Sequence, residues 1–301
     1  MIAKGGAVLL FAALLAATLL VADSPSVQKP GAADVHDGEQ LALPDPSGRE
    51  IRRGVNQGMI PLGRSRIYVP ILMYHYIQEL PKSYDQLTFN LTVTPENFTR
   101  QLQYLWAHGY HPVTFDDLRA YFQGQTPLPS KPVVITFDDG YRDLYTTAYP
   151  ILLKFGFRAV AYIVSGFVGR LRYVTQAMLV EMSQNGIEIA DHTVDHYNLA
   201  HMLVPEITFE IVASRNWLEQ IIGQPILDFA YPSGKFNLTD MQVLHDQGYS
   251  TATTEQEGTS RDWAGRYSWP RTRVGGGETL AQFIKNLGPV EPFVIAAPTV
   301  A

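Results

Sequence analysis

Lys131-Pro132-Val133-Val134-Ile135-Thr136-Phe137-Asp138-Asp139-Gly140 is a short apolar run that stops on two acids and a glycine. It reads as a strand ending in a tight turn. Similar runs recur at 69–74, 158–164, 186–190, 226–231 and 249–253. Helical stretches lie between them, at 95–108, 141–155, 175–185, 205–222 and 238–247. Thr94 before Pro95, and Asn237 before an apolar face, are start signals. Gly109, Gly156, Gly186, Gly223 and Gly248 each follow a helix, as left-handed caps do. Strand, helix, strand repetition implies parallel strands covered by helices, and six or seven such units favour a barrel over an open sheet. Chemistry in such a barrel belongs at the C-terminal strand ends.

Composition narrows the function. The 301 residues are 46% hydrophobic and 17% charged, which suits a globular chain. A formal charge of −6 and a pI near 5.7 leave no basic footprint for nucleic acid. The absence of cysteine excludes thiol nucleophiles, disulfide scaffolds and zinc fingers, so any transition metal must be held by histidine and carboxylate. Residues 1–22 carry Lys4 and then an unbroken apolar run, the pattern of a signal peptide or N-terminal membrane anchor. Membrane contact is expected only through that segment, with the protein exported to the cell surface or beyond. Proline, glycine and scattered charge mark 23–66 as a flexible linker. The folded domain is expected over 67–288, with a tail at 289–301.

The ionisable residues collect at two strand ends. Asp138 and Asp139 repel each other unless a cation or a shared proton compensates, and Gly140 lets the chain turn so that both converge. The strand 186–190 leads into Asp191-His192-Thr193-Val194-Asp195-His196, whose two imidazoles are spaced to share one divalent metal. One carboxylate and two histidines, with positions left for water, make a catalytic rather than a structural ligand set. His36, His108, His111, His201 and His245 lie in the linker or beside helices and read as structural.

Thr136-Phe137-Asp138-Asp139-Gly140 followed by His192-Thr193-Val194-Asp195-His196 resembles the NodB-type polysaccharide deacetylases, carbohydrate esterase family 4. The resemblance covers about 68–283. It implies a distorted (β/α) barrel of about seven parallel strands, and metal-dependent hydrolysis of N-acetyl groups on a glycan with release of acetate. It also implies that Asp138 is the general base and that Asp139, His192 and His196 hold the metal, with Thr193 bracing the loop. Zinc is the default, and iron, cobalt and nickel suit the same ligands. The third motif of the family is matched by Ala230-Tyr231-Pro232-Ser233-Gly234, with the Ser233 amide as oxyanion donor.

That motif departs from the pattern, because Ala230 stands where the family has an arginine that steadies the base. Arg271 or Arg273 could supply the cation, and Arg271 is preferred. The late-strand histidine of the family is also missing. His75, closing Ile71-Leu72-Met73-Tyr74, is the only histidine at another strand end, and it resembles the general acid of the permuted poly-N-acetylglucosamine deacetylase branch. Tyr231, Trp263 and Trp269 are expected to bind substrate, since aromatic rings stack on sugars. An N-acetylated polysaccharide is the expected partner: poly-N-acetylglucosamine, peptidoglycan or a chitin-like chain. A non-catalytic glycan-binding domain that keeps the fold and the metal is the alternative, favoured only by the altered third motif.

Overall fold

The computed structural model describes residues 58–292 and 294–295. The apolar stretch 1–22 and most of the expected linker lie outside the described residues; among the described ones, no helix is long and apolar enough to cross a membrane. Seven parallel strands close a barrel: β1 Ile71–Tyr74, β2 Pro132–Phe137, β3 Ala159–Ile163, β4 Ile187–Asp191, β5 Asp228–Ala230, β6 Thr251–Glu257 and β7 Trp269–Arg273. Each pairs with its chain neighbours, and β1 closes the ring against both β7 and β2. The barrel expected from the sequence is therefore present.

Strand parity sorts the apolar side chains into two cores. Ile71, Val134, Val160, Ala190, Ala230 and Trp269 meet inside the barrel. Leu72, Ile135, Phe137, Ala161, Ile163 and Phe229 face outward, against the helices. These helices are α1 Pro95–Ala107, α2 Phe115–Phe122, α3 Tyr149–Phe155, α4 Gln176–Gln184, α5 Val204–Ile222, α6 Leu238–Asp246 and α7 Leu280–Asn286. The expected caps are present: the side chains of Thr94 and Asn237 accept backbone N–H bonds at the starts of α1 and α6. The five cap glycines all take positive φ.

Some expectations need correction. The helix expected from Tyr141 opens as a wide turn, Leu144–Ala148, before α3. Pro150 has no N–H to give to the regular ladder, and the Tyr149 N–H reaches back to Leu144 instead. β7 was not expected as a barrel strand, because Trp269-Pro270-Arg271-Thr272-Arg273 carries two arginines. The domain also reaches past 67 and 288. Gly58–Ile60 pairs antiparallel with both Leu128–Pro129 and Val294–Ile295. Glu291, buried, pairs with Arg64 at 3.0 Å and accepts the Tyr68 N–H at 2.7 Å.

Helix α2 lies across the N-terminal mouth of the barrel. Its Phe115, Leu118 and Tyr121 enter the inner core, and Arg119 reaches Asp228, the first residue of β5, at 3.1 and 3.2 Å. Thr251, first in β6, donates to the same carboxylate at 2.6 Å. The pair is nearly dry, with side chains 11% and 4% exposed. Removing one partner strands the other charge, which typically costs about 3–5 kcal/mol. Arg119→Ala should therefore lower unfolding free energy by about 3 kcal/mol in urea titration. A loss below about 1 kcal/mol would show that the mouth is held by apolar packing alone.

Candidate active site

The C-terminal strand ends bring the candidate residues together. Asp138 follows β2 and continues the inward series Val134, Thr136; Arg271 is the middle inward residue of β7. Their side chains meet in a two-pronged ion pair, Nη1 to Oδ1 and Nη2 to Oδ2, both 2.7 Å. Arg271 also donates through Nε to Thr254 O at 2.9 Å and through Nη1 to Thr136 Oγ1 at 3.2 Å, and it lies over the Tyr162 ring. It is fully buried and Asp138 is 2% exposed. Burial alone would raise the Asp138 pKa, but the guanidinium outweighs it and holds the carboxyl below the ordinary range. Of the two candidate arginines, Arg271 is thus the one that pairs with Asp138, while Arg273 pairs with Glu255.

Asp139 faces the histidines. Its Oδ1 stands 3.5 Å from His192 Nε2 and 3.4 Å from His196 Nε2, too far for good hydrogen bonds, and has no hydrogen-bond partner. His192 Nδ1 lies 2.7 Å from Ala230 O, so the proton belongs on Nδ1 and the Nε2 lone pair points at Asp139. One ligand atom from each of the three residues falls within a 4.8 Å cluster. Tetrahedral ligands at 2.0–2.1 Å from an ion stand about 3.4 Å from one another, so an orphaned carboxylate oxygen and two imidazole nitrogens at this spacing fit a small divalent cation.

The backbone around the cluster is strained. Asp139 (φ 71), Thr193 (φ 71), His196 (φ 59) and Ser233 (φ 53) are four of the five non-glycine residues with positive φ among those described. Such residues cost about 1–3 kcal/mol each and persist only where the surroundings enforce them. Gly140 follows Asp139 at φ +73, and a Cβ there would stand 3.1 Å from Ile163 Cδ1, so the D-D-G turn admits glycine in both conformation and space. In the third motif, Gly234 N–H bonds Tyr231 O and Lys235 N–H bonds Pro232 O. The Ser233 amide takes no part in those turn bonds. His75 Nε2 is 4.0 Å from Asp138 Oδ2, its Nδ1 has no partner, and it is 6% exposed. Burial pushes this imidazole below its ordinary pKa, although Asp138 and Asp139 pull the other way.

The three aromatic expectations are corrected. Tyr231 is fully buried and points outward from the barrel: it stacks on Phe236, meets Phe229 edge-on and donates to Tyr267 O at 2.9 Å. Trp269 is the first inward residue of β7 and fills the N-terminal mouth beside Phe115 and Phe122 of α2. Trp263 packs on the same cluster. Both tryptophans therefore sit at the end of the barrel opposite the acids. A different aromatic wall borders the cluster: Tyr76 stacks on Tyr141 at 3.9 Å, Tyr141 stacks on Tyr173 at 5.2 Å, and Tyr141 lies beside Asp139. The signal was adjacency, since Tyr76 follows His75 and Tyr141 follows Gly140. Beyond Arg273, a polar groove of about 710 Å³ opens between Asn90, Glu257, Glu278, Lys285 and Asn286.

Known proteins share this fold. Residues 125–252 match the family model described as polysaccharide deacetylase. The Streptococcus pyogenes deacetylase PplD, solved in complex with acetate, superposes with a TM-score of 0.68 and 30% identity, over 74% of this chain and 99% of its own. The poly-beta-1,6-N-acetyl-D-glucosamine N-deacetylase of Staphylococcus aureus (strain MRSA252) is 27% identical over 199 residues, 62% of this chain and 68% of its own. IcaB from Ammonifex degensii has the same fold, with a TM-score of 0.65 at 24% identity over 76% of this chain and 100% of its own. A closed seven-strand barrel, two adjacent acids and a histidine pair at its C-terminal mouth, and a relative at this identity along nearly its whole length, lead to one conclusion: the chain belongs to the polysaccharide deacetylase family.

Proposed function

We propose that the protein is a metal-dependent N-deacetylase of an exported or cell-envelope N-acetylglucosamine polysaccharide, with poly-N-acetylglucosamine the first substrate to try. The observation that carries the reading is the division of labour between adjacent acids: Asp138 is held by Arg271, and Asp139 faces two imidazoles at metal-ligand spacing. Asp139, His192 and His196 would hold the cation, with zinc the leading candidate. When bound, it would polarise the amide carbonyl and acidify a water.

The remaining work falls to the chain itself. Asp138, ionised and fixed in direction by Arg271, takes the proton of the attacking water. The Ser233 amide, on an exposed turn, offers a second donor to the oxyanion. The amine must leave protonated. His75 is held neutral near pH 7 by burial and so has no resting proton to give. Asp138 Oδ2 lies 4.0 Å away, beyond direct hydrogen-bond reach, so one bridging water would have to carry the proton taken by Asp138 to His75, which then gives it to the amine nitrogen. Arg271 is a positioning residue, and its presence weakens the glycan-binding alternative, because a binding domain has no use for an aligned base.

Two further observations support the setting. The apolar stretch 1–22 fits export, and the Staphylococcus aureus relative is named for poly-N-acetylglucosamine. The polar groove beyond Arg273 offers hydroxyl partners to neighbouring sugars of a polymer.

The test is primary-amine release from soluble poly-N-acetylglucosamine oligomers. Release should be abolished by chelator and restored by zinc. Asp138→Asn should keep metal content and lose roughly 10²–10⁴-fold in rate, whereas His192→Ala should lose both. No release from a folded, metal-loaded sample that still binds the oligomer would transfer the protein to the glycan-binding reading.

The pH profile follows from the same electrostatics. The base works as carboxylate, so kcat/KM falls as pH drops through the Asp138 pKa, which Arg271 depresses. Arg271→Met removes the strongest influence opposing burial, which raises that group, and leaves only the weaker pull of His75 and His192 against it. At saturating metal, the acid limb of the variant should therefore lie at higher pH than that of the parent. An unmoved limb would detach Asp138 from the base role.

A further inference from the structure

The loop that carries His192 and His196 is held by groups that lie outside the three motifs. Glu210, in the middle of α5 and 3% exposed, points its carboxylate at the loop from below. Its Oε2 accepts the Val194 N–H at 3.0 Å and the Asp195 N–H at 2.9 Å. Consecutive backbone N–H groups beside a left-handed residue make a concave anion site. Here the chain supplies the anion itself, and Thr193 (φ 71) and His196 (φ 59) flank it. One helical turn further along α5, Ser214, fully buried, donates to Asp191 Oδ1 at 2.5 Å and to Thr193 O at 3.0 Å. The same Asp191 oxygen accepts the Thr193 N–H at 2.9 Å.

The opposite side of the loop is pressed by the turn after β3. Ser165 N–H bonds Thr193 O at 3.0 Å, and Gly166 N–H bonds Val194 O at 3.0 Å. A Cβ on Gly166 would stand 2.6 Å from that Val194 oxygen, so the contact is backbone on backbone. Finally, Thr193 Oγ1 accepts the His196 N–H at 2.9 Å. The peptide between the two histidines is thus fixed on both sides. Glu210 is the only carboxylate that bonds to Val194 and Asp195 among the described residues.

We propose that Glu210 is a positioning residue for the metal site: by binding the Val194 and Asp195 amides it holds the left-handed turn that aims His196 at Asp139. The proposal rests on the metal reading given above. Glu210 touches neither metal nor substrate. Its loss releases two amides and lets the strained turn relax, moving His196 Nε2 away from its 3.4 Å approach to Asp139. Groups that orient metal ligands typically govern about 10–100-fold in metal affinity.

The experiment measures zinc affinity of the full chain by competition with a chromophoric chelator, alongside apo-state circular dichroism and thermal unfolding. Glu210→Ala should fold and bind zinc at least tenfold more weakly, with activity at saturating zinc largely recovered. Glu210→Gln keeps an acceptor oxygen in place and should lose less affinity than Glu210→Ala. Glu210→Asp is the second variant should the alanine form fail to fold. It keeps the charge but withdraws the carboxylate by one methylene, and should also weaken zinc binding. A folded Glu210→Ala or Glu210→Asp protein that binds zinc as tightly as the parent overturns the proposal, even if its melting temperature falls. A parent chain that takes up no zinc overturns the metal reading and this inference with it.

Discussion

Two neighbouring carboxylates in a dry site cannot both stay ionised unless each has its own positive partner. This constraint organises the mouth of the barrel. Arg271 answers it for Asp138 with two 2.7 Å bonds; for Asp139 the proposed answer is a cation, which its carboxylate and the imidazoles of His192 and His196 are spaced to hold. The left-handed φ of Asp139 turns the second acid away from the first, and Gly140 carries the chain out without a clash against Ile163. Burial raises the pKa of both carboxyls, and the groups beside them hold it below the ordinary range.

The rest of the barrel holds these partners in register. Arg271 reaches Asp138 because β7 closes against β1, and β1 against β2, placing two inward positions across the mouth. His192 is anchored through Nδ1 to Ala230 O on β5, and its loop is clamped between α5 and the turn after β3. At the far end, α2 and the two tryptophans seal the barrel with an apolar plug and the Arg119–Asp228 pair. Positive φ at the acids, the histidine loop and Ser233 is strain that this framework enforces.

Much of this was legible in the sequence, and the failures have physical causes. Six of the seven barrel strands showed as apolar runs, because their inward and outward faces are both buried. β7 did not, since its inward positions are Trp269, Arg271 and Arg273, and charge masks a strand whose arginines are neutralised by Asp138 and Glu255. The motif residues were found because their chemistry requires fixed spacing within one turn. Tyr231, Trp263 and Trp269 were misplaced because an aromatic ring suits a core as well as a sugar, and only strand parity and end decide between them. Glu210 carried no signal, since its bonds to Val194 and Asp195 depend on how α5 docks. The domain limits were set too narrowly because Gly58–Ile60 and Val294–Ile295 are short strands that exist only through pairing distant in sequence.

The measurement that reaches the central claim most directly is a crystal structure of the zinc-soaked protein with anomalous data collected at the zinc edge. The expected result is a single strong peak bounded by Asp139, His192 and His196, with Asp138 still paired to Arg271 and outside the coordination sphere. A peak that draws in Asp138, or metal bound elsewhere with the three ligands unchanged, would contradict the division of labour between the two acids on which the proposed chemistry depends.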